Sequence, residues 1–298
     1  MPQVTIGLPV YNSRRTLSLA IQSVLDQTLS DWELIICDDG STDGSIEVAA
    51  AVRDLRVRVV RNERNVGLSA SLNRIVSLAT APLIARMDSD DLLHPDRLRM
   101  QAGVFAAKPN LDVVSTEAFV VDDENRVIGG RRRSKVARTT AEVLTHNGPI
   151  HASVMARRAW CARFPYSNDF RRGEDLELWA RALPRSAHYH MGDRLYFIRE
   201  NPHVSVAKYC RTISAHSAIF RQYAGAEGIT HMKVAALTLR SHVRMGAYSV
   251  AGCLGLQSRI AARRIEPLPP ETSLEAQTIV DRIVADTKAR EEVLLAIR

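Results

Sequence analysis

Asp88, Asp90 and Asp91 place three carboxylates within four residues, directly after the strand-like run Leu83 to Met87. Anions held that close repel one another and raise each other's pKa unless a cation or a donor-rich ligand sits among them. An all-oxygen set of this kind suits Mg2+ or Mn2+, which usually share such sites with substrate phosphates. Asp88 and Asp90 fall on one side of an extended segment, and Asp91 can turn towards them at the strand's end. The alternative is a solvated acidic turn ahead of the helix that Pro95 opens. An EF-hand is excluded, because the loop lacks a central glycine and its twelfth position is Arg99.

Three further stretches carry residues of chemical interest. In DDGSTDGS (Asp38 to Ser45), Asp38 is expected to hold the loop and Asp39 to accept from a ligand N–H, although such a loop can equally be a turn and helix cap. Arg64, Asn65 and Gly67 lead into a helix whose positive end offers an anion seat. Gly173-Glu174-Asp175 open a helix carrying Leu176, Leu178 and Trp179. A carboxylate there can act as general base on an acceptor hydroxyl, or simply complement the helix dipole. His151, in GPIHAS, either borders an acceptor or is structural, and His188 and His190 read as structural. The sequence contains no GxxxxGK[ST], GxSxG or HExxH, and no GxGxxG after the first strand.

The elements that must position these residues follow from periodicity. Strands are expected at Val4 to Val10, Trp32 to Cys37, Arg56 to Arg61 and Leu83 to Met87, and helices after Asn12 or Ser13, at Ser45 to Asp54, at Leu68 to Ala79 and from Pro95. Strand and helix therefore alternate four times in about a hundred residues, the pattern of an open parallel sheet with helices on both faces. In such sheets ligands bind beyond the carboxyl ends of the strands, where all four unusual loops lie. After Pro109 the pattern becomes strand-rich, with strands at Val113 to Val121, Arg126 to Gly129, Ala152 to Ala156 and Tyr189 to Arg199, and helices at Thr139 to Thr145 and Gly173 to Leu183. From Val206 it is helical and basic, and the last helix, Ser273 to Ile297, has an apolar stripe at Ile279, Ile283, Val284 and Leu294.

Composition sets the outer bounds. The 298 residues, 46% hydrophobic and 24% charged, are those of a globular chain, which excludes disorder throughout. The formal charge of +7 comes mainly from arginine, whose forks suit phosphate and carboxylate partners. The four cysteines lie tens of residues apart and form no zinc pattern, so they read as reduced thiols. The N-terminal residues lack the basic and apolar regions of a secretory signal, and no stretch reads as a membrane span; the expected address is the cytoplasm.

Taken together, VYN at Val10 to Asn12, the LSLAIQSVLDQT helix, WELIICDDGSTDGS, the Asn65 to Asn73 segment, RMDSDD and GEDLELW resemble the family 2 glycosyltransferases with a GT-A fold. The resemblance covers about Val4 to Ser205 and rests on the order and spacing of the motifs. It implies an α/β fold of GT-A type: an open, mostly parallel sheet with flanking helices, plus a helical C-terminal extension. The implied division is 1–110 as a nucleotide-sugar-binding half, 111–205 as an acceptor-binding and catalytic-base half, and 206–298 as the helical region.

The resemblance further implies a metal-dependent, inverting transfer of sugar from a nucleoside-diphosphate sugar, usually of uridine, to a glycan or glycolipid acceptor, as in surface polysaccharide or glycolipid synthesis. Pro9, Tyr11, Asn12, Asp39, Arg64, Asn65, Asp88 and Ser89 would bind the donor: Tyr11 flanks the base, Asp39 accepts from uracil N3–H, and Asp88 lies near the ribose. Asp90 and Asp91 would hold Mg2+ or Mn2+ on the diphosphate, and Asp175 would be the catalytic base. His151, Glu174 and Trp179 would lie on or near the acceptor side. Members often carry an Arg-x-His element after the base helix. Here Asn201 stands at that His position and His203 follows two residues later, so His203 enters as a candidate metal ligand.

The basic helices after Val206 could rest on the inner face of an anionic membrane, form a homodimer contact, or present a solvated face. Two other readings compete. Nucleic-acid binding, prompted by Arg131 to Arg133, is opposed by the acidic rim, so no nucleic-acid partner is expected. A nucleotidyltransferase of similar architecture should carry a glycine-rich, lysine-bearing first loop, which is missing.

Overall fold

The computed structural model describes every residue except 132–136, 147, 201–204, 227, 257–259, 261 and 297–298. Strands β1 (Val4–Val10), β2 (Trp32–Asp38), β3 (Val57–Arg61) and β4 (Leu83–Arg86) pair in parallel in the order β3-β2-β1-β4. All of β1 and all of β2 except Glu33 are buried, as strands covered on both faces must be. Helices α1 (Arg14–Leu25), α2 (Ser45–Ala50) and α3 (Leu68–Leu78) make the crossovers. Leu8, Leu17, Ile21 and Leu34 pack on one face of this sheet, and Ile35, Cys37, Leu72 and Ile75 on the other.

The remaining strands extend the same sheet. They are β5 (Leu92–Leu93), β6 (Val113–Val121), β7 (Val127–Arg131), β8 (Met155–Arg157), β9 (His188–Arg199) and β10 (Ile265–Glu266). β8 runs antiparallel to both β4 and β6, and so joins the two halves into one sheet. β9 runs parallel to β6, and β5 pairs with β9, so the acidic loop between β4 and β5 is pinned at both ends. The helices are α4 (Arg97–Ala107), α5 (Thr140–His146), α6 (Arg158–Arg163), α7 (Glu174–Ala182), α8 (Val206–Gln222), α9 (His231–Cys253) and α10 (Pro270–Ala296). A second core forms where α5, α6 and α7 meet α8 and α9 around Trp160, Trp179 and Phe220.

Several local expectations shift. α2 stops at Ala50 rather than Asp54, and α4 begins at Arg97 because the Pro95 carbonyl accepts from the Thr28 N–H at 2.9 Å. Ser13 occupies the N-cap of α1, but its hydroxyl caps no N–H and lies 2.6 Å from the Ser89 hydroxyl. Residues 152–156, expected as one strand, divide between a 3-10 turn at His151–Ser153 and β8. Among the described residues the C-terminal segment consists of helices, their connecting turns and β10, which adds to β7 at the sheet edge. α10 packs Ala276, Val280 and Ile283 on Phe119 and Phe197.

Candidate active site

The parallel register aligns the carboxyl ends of the first strands, with Val10 beside Asp38 and Gly7 beside Arg86. The loops that follow are tied to one another. Asn12 adopts a left-handed φ of 51°; its N–H donates to Ser41 Oγ and its Oδ1 accepts from the Thr42 N–H. Asp38 accepts from the Ser41 N–H and faces Arg61 Nε at 3.2 Å, holding its loop as expected. Asp39, almost fully buried, accepts from Asn62 Nδ2 and the Val66 N–H on Oδ1 and from the Gly67 N–H on Oδ2, so it fixes the third loop to the second. A carboxylate has about four acceptor positions, so one remains for a ligand N–H. At Gly40, φ is +75° and a Cβ would meet the Arg64 carbonyl carbon at 2.9 Å, which is why glycine stands where these loops touch.

Oxygens of Asp88, Asp90 and Asp91 lie within 4.8 Å of one another. Burial, followed by the charges of Asp90 and Asp88, pushes the Asp91 carboxyl well above the usual carboxylate range. Asp90 is also raised, by its surroundings and then by Asp88; it reaches solvent, so its raising is the weaker of the two. The cluster is braced by residues that the sequence did not single out. The Arg199 N–H donates to Asp91 Oδ1 at 2.7 Å and Arg199 Nε donates to the Asp90 carbonyl at 2.9 Å. The buried Tyr196 hydroxyl accepts from the Asp88 N–H at 3.0 Å and lowers the Asp91 carboxyl by hydrogen bonding.

Two buried guanidiniums lie close by. Arg86 pairs with Asp88, while Arg97 donates to the carbonyls of Arg86, Ala152 and Val154 and stacks over Tyr196. Burial and the Asp88 charge raise the Asp90 carboxyl and outweigh Arg86 and Arg199, which lower it. Three converging carboxylates that raise one another in this way fit a hard divalent cation. Arg86, standing at the end of an apolar strand two residues before Asp88, was the available sequence signal.

A cleft of about 840 Å3, within the range of small-molecule sites, opens above these loops. Pro9, Tyr11, Asp39, Asn65, Asp88, Ser89 and Asp90 line it. Asp169, Phe170, Arg171 and Arg172, together with Arg211 of α8, complete the lining from the second half of the chain. Asp91 lies beneath the lining, and Asn12 faces a neighbouring pocket on the far side of Tyr11 and Asp90. Arg64 is exposed and its backbone packs at Gly40.

Gly173 caps α7 with φ +75°, close against Ile219 and His216 of α8. Glu174 and Asp175 therefore occupy the first turn of α7, directly after Arg171 and Arg172 of the cleft lining, which includes neither of them. Glu174 lies within electrostatic reach of Asp175, Arg86 and Asp88, and burial followed by the Asp175 charge raises its carboxyl to about 7.

Two acceptor-side expectations are corrected. Trp179 is buried in the second core, stacked near Trp160, and cannot face a substrate. His151 packs edge-on against Trp179, and its Nε2 lies 2.6 Å from the Tyr166 hydroxyl around a void of about 40 Å3 beneath the sheet. Burial, with the charge of Arg86, holds His151 neutral, so it is a structural histidine. His203 and Asn201 lie outside the described residues, as do Arg132 and Arg133; Arg131 pairs with Glu200.

Residues 5–167 match the family described as Glycosyl transferase family 2. EpsE of Bacillus subtilis strain 168 is 34% identical over 210 residues, covering 67% of this chain and 74% of its own length. The Escherichia coli UDP-Glc:alpha-D-GlcNAc-diphosphoundecaprenol beta-1,3-glucosyltransferase WfgD is 31% identical over 180 residues, covering 60% of this chain and 69% of its own. Among solved structures, S. aureus TarS 1-349 in complex with UDP-GlcNAc superposes with a TM-score of 0.62 at 18% identity, over 84% of this chain and 76% of that one. The shared architecture is that of the GT-A fold.

Proposed function

The chain belongs to glycosyl transferase family 2 and is a glycosyltransferase, and from that premise we propose that it transfers a sugar from a uridine-diphosphate sugar to an acceptor hydroxyl, with inversion at the anomeric carbon. The observation that carries this reading is the cleft itself. Tyr11, Asp39 and Asn65 offer it an aromatic face and an open acceptor position for a base, Asp88 and Asp90 line the same cleft, and Asp91 brings a carboxylate oxygen within 4.8 Å of theirs.

Each side chain takes a role that its surroundings support. Tyr11, half exposed, flanks the base, and Asp39 accepts the uracil N3–H on its remaining lone pair. Asp88 and Ser89 border the ribose and diphosphate. Asp90 and Asp91 hold Mg2+ or Mn2+, which when bound would neutralise charge on the leaving diphosphate. Asp175 takes the proton of the acceptor hydroxyl as its oxygen bonds to the anomeric carbon and the bond from that carbon to the diphosphate breaks. Arg171, Arg172 and Arg211 set positive charge along the cleft, where phosphate oxygens of donor or acceptor would pass.

The acceptor is a glycan or a lipid-linked glycan of surface polysaccharide synthesis, reached from the cytoplasmic face of the membrane. The WfgD relative is named for a diphosphoundecaprenol acceptor. The division of labour follows the chain, with 1–110 binding the donor and 111–205 supplying the base and acceptor wall. The test is thermal stabilisation by a panel of nucleotide-sugars with and without Mn2+. A bound donor at 100 times its dissociation constant adds roughly 2.7 kcal/mol. A shift with UDP-sugars that needs the metal supports the reading, and no shift with any nucleotide-sugar contradicts it.

A further inference from the structure

Helix α9 leaves a continuous apolar face uncovered among the described residues. Met232, Leu239, Val243, Val250 and the capping Leu254 are 81%, 67%, 64%, 60% and 65% exposed. With Ala236 they recur at intervals of three, four and seven residues and fall within an arc of roughly 60° at 100° per residue. The opposite face, with Val234, Leu237 and Tyr248, is buried, and Tyr248 stacks on Tyr209 of α8 at 4.3 Å. Folding of this chain therefore does not need the stripe, and water strongly disfavours it.

The margins of the stripe are basic. Lys233, Arg240 and Arg244 flank it on one side and His231 and His242 on the other. From residue 228 to 265 the sequence has six Lys or Arg and no Asp or Glu. A second copy docked here by two-fold symmetry would set these cations against one another. An anionic bilayer meets both features at once, with acyl chains for the stripe and headgroups for the guanidiniums, whose stems can reach up from the interface. No helix among the described residues is long and apolar enough to cross a membrane, which leaves the in-plane mode.

We propose that the Met232–Leu254 face of α9 seats the chain on an anionic lipid surface. α8 lies between that surface and the cleft, presenting Arg211, Ala215 and Ala218 to the cleft and Tyr209 to α9. The cleft then stands one helix layer, about 10 Å, above the lipid headgroups. This placement concerns α9 alone and stands whether or not the donor and base roles above hold.

The full chain should co-sediment with phosphatidylcholine vesicles containing phosphatidylglycerol, far less with phosphatidylcholine alone, and should be released by high salt. Leu239→Ser with Val243→Ser leaves the charge unchanged, and partition should fall at least roughly tenfold while thermal unfolding is preserved, since both side chains are already exposed. Arg240→Gln with Arg244→Gln should weaken binding to the anionic vesicles alone. Failure of the wild-type chain to bind them, or equal binding by the serine variant, overturns the proposal. So does a wild-type dimer in solution that the serine variant converts to monomer, which would assign the face to a second copy.

Discussion

The Tyr196 hydroxyl accepts a hydrogen bond from the Asp88 N–H at 3.0 Å across 108 residues of sequence. The acidic loop is therefore positioned by β9 as well as by the strand it follows. Arg199, three residues on, adds its own N–H to Asp91. The two halves of the chain set the carboxylates jointly.

Tyr196→Phe removes the acceptor for Asp88 and the hydrogen bond that steadies Asp91. A buried N–H left without a partner costs about 1–3 kcal/mol. Loss of an outer-shell partner typically lowers metal affinity ~10- to 100-fold. Thermal unfolding and Mn2+ titration of donor binding should show both effects.

Asp39→Asn attacks the seam between two loops. A carboxamide offers a single acceptor oxygen, so its NH2 must face one of the N–H groups of Val66 or Gly67 that the carboxylate accepts. We expect a loss of about 1–3 kcal/mol in stability. UDP binding measured by calorimetry should weaken, with the loss unchanged when the metal concentration is raised.

Glu174 gives a pH signature. Its carboxyl is raised to about 7 in the fold, first by burial and then by Asp175. Between its unfolded value near 4.5 and 7 the folded chain therefore binds more protons than the unfolded chain, and stability falls as pH rises through that window. Glu174→Gln should remove the fall, raising the melting temperature at pH 8 relative to wild type and changing it little at pH 4. Melting curves of both proteins across this range test the sign, with an effect of about 3 kcal/mol.

The sheet and the cleft floor were legible because their signals are local. Apolar runs such as WELIIC, ending in carboxylates and glycines, fix both the strand and the side on which its loop emerges. The spacing of Asp88, Asp90 and Asp91 was itself enough to mark them as one candidate cation site. What braces them was not legible, since Tyr196 and Arg199 reach the loop from more than a hundred residues away. Trp179 misled for another reason. Residues 176–180 of α7 are all buried, so no polar face indicates which side meets the substrate. Conversely, the apolar stripe of α9 has helical spacing like any core helix, and only the fold shows that it is the outer face.

The central claim, that Asp175 is the base beside a donor cleft, is tested most directly by sugar transfer with Asp175→Asn. The variant keeps the size of the side chain and the α7 cap while removing the proton acceptor. With a donor identified by thermal shift and Mn2+ present, transfer should fall about 10²- to 10⁴-fold while the donor dissociation constant stays within about twofold of wild type. Transfer at the wild-type rate would contradict the account.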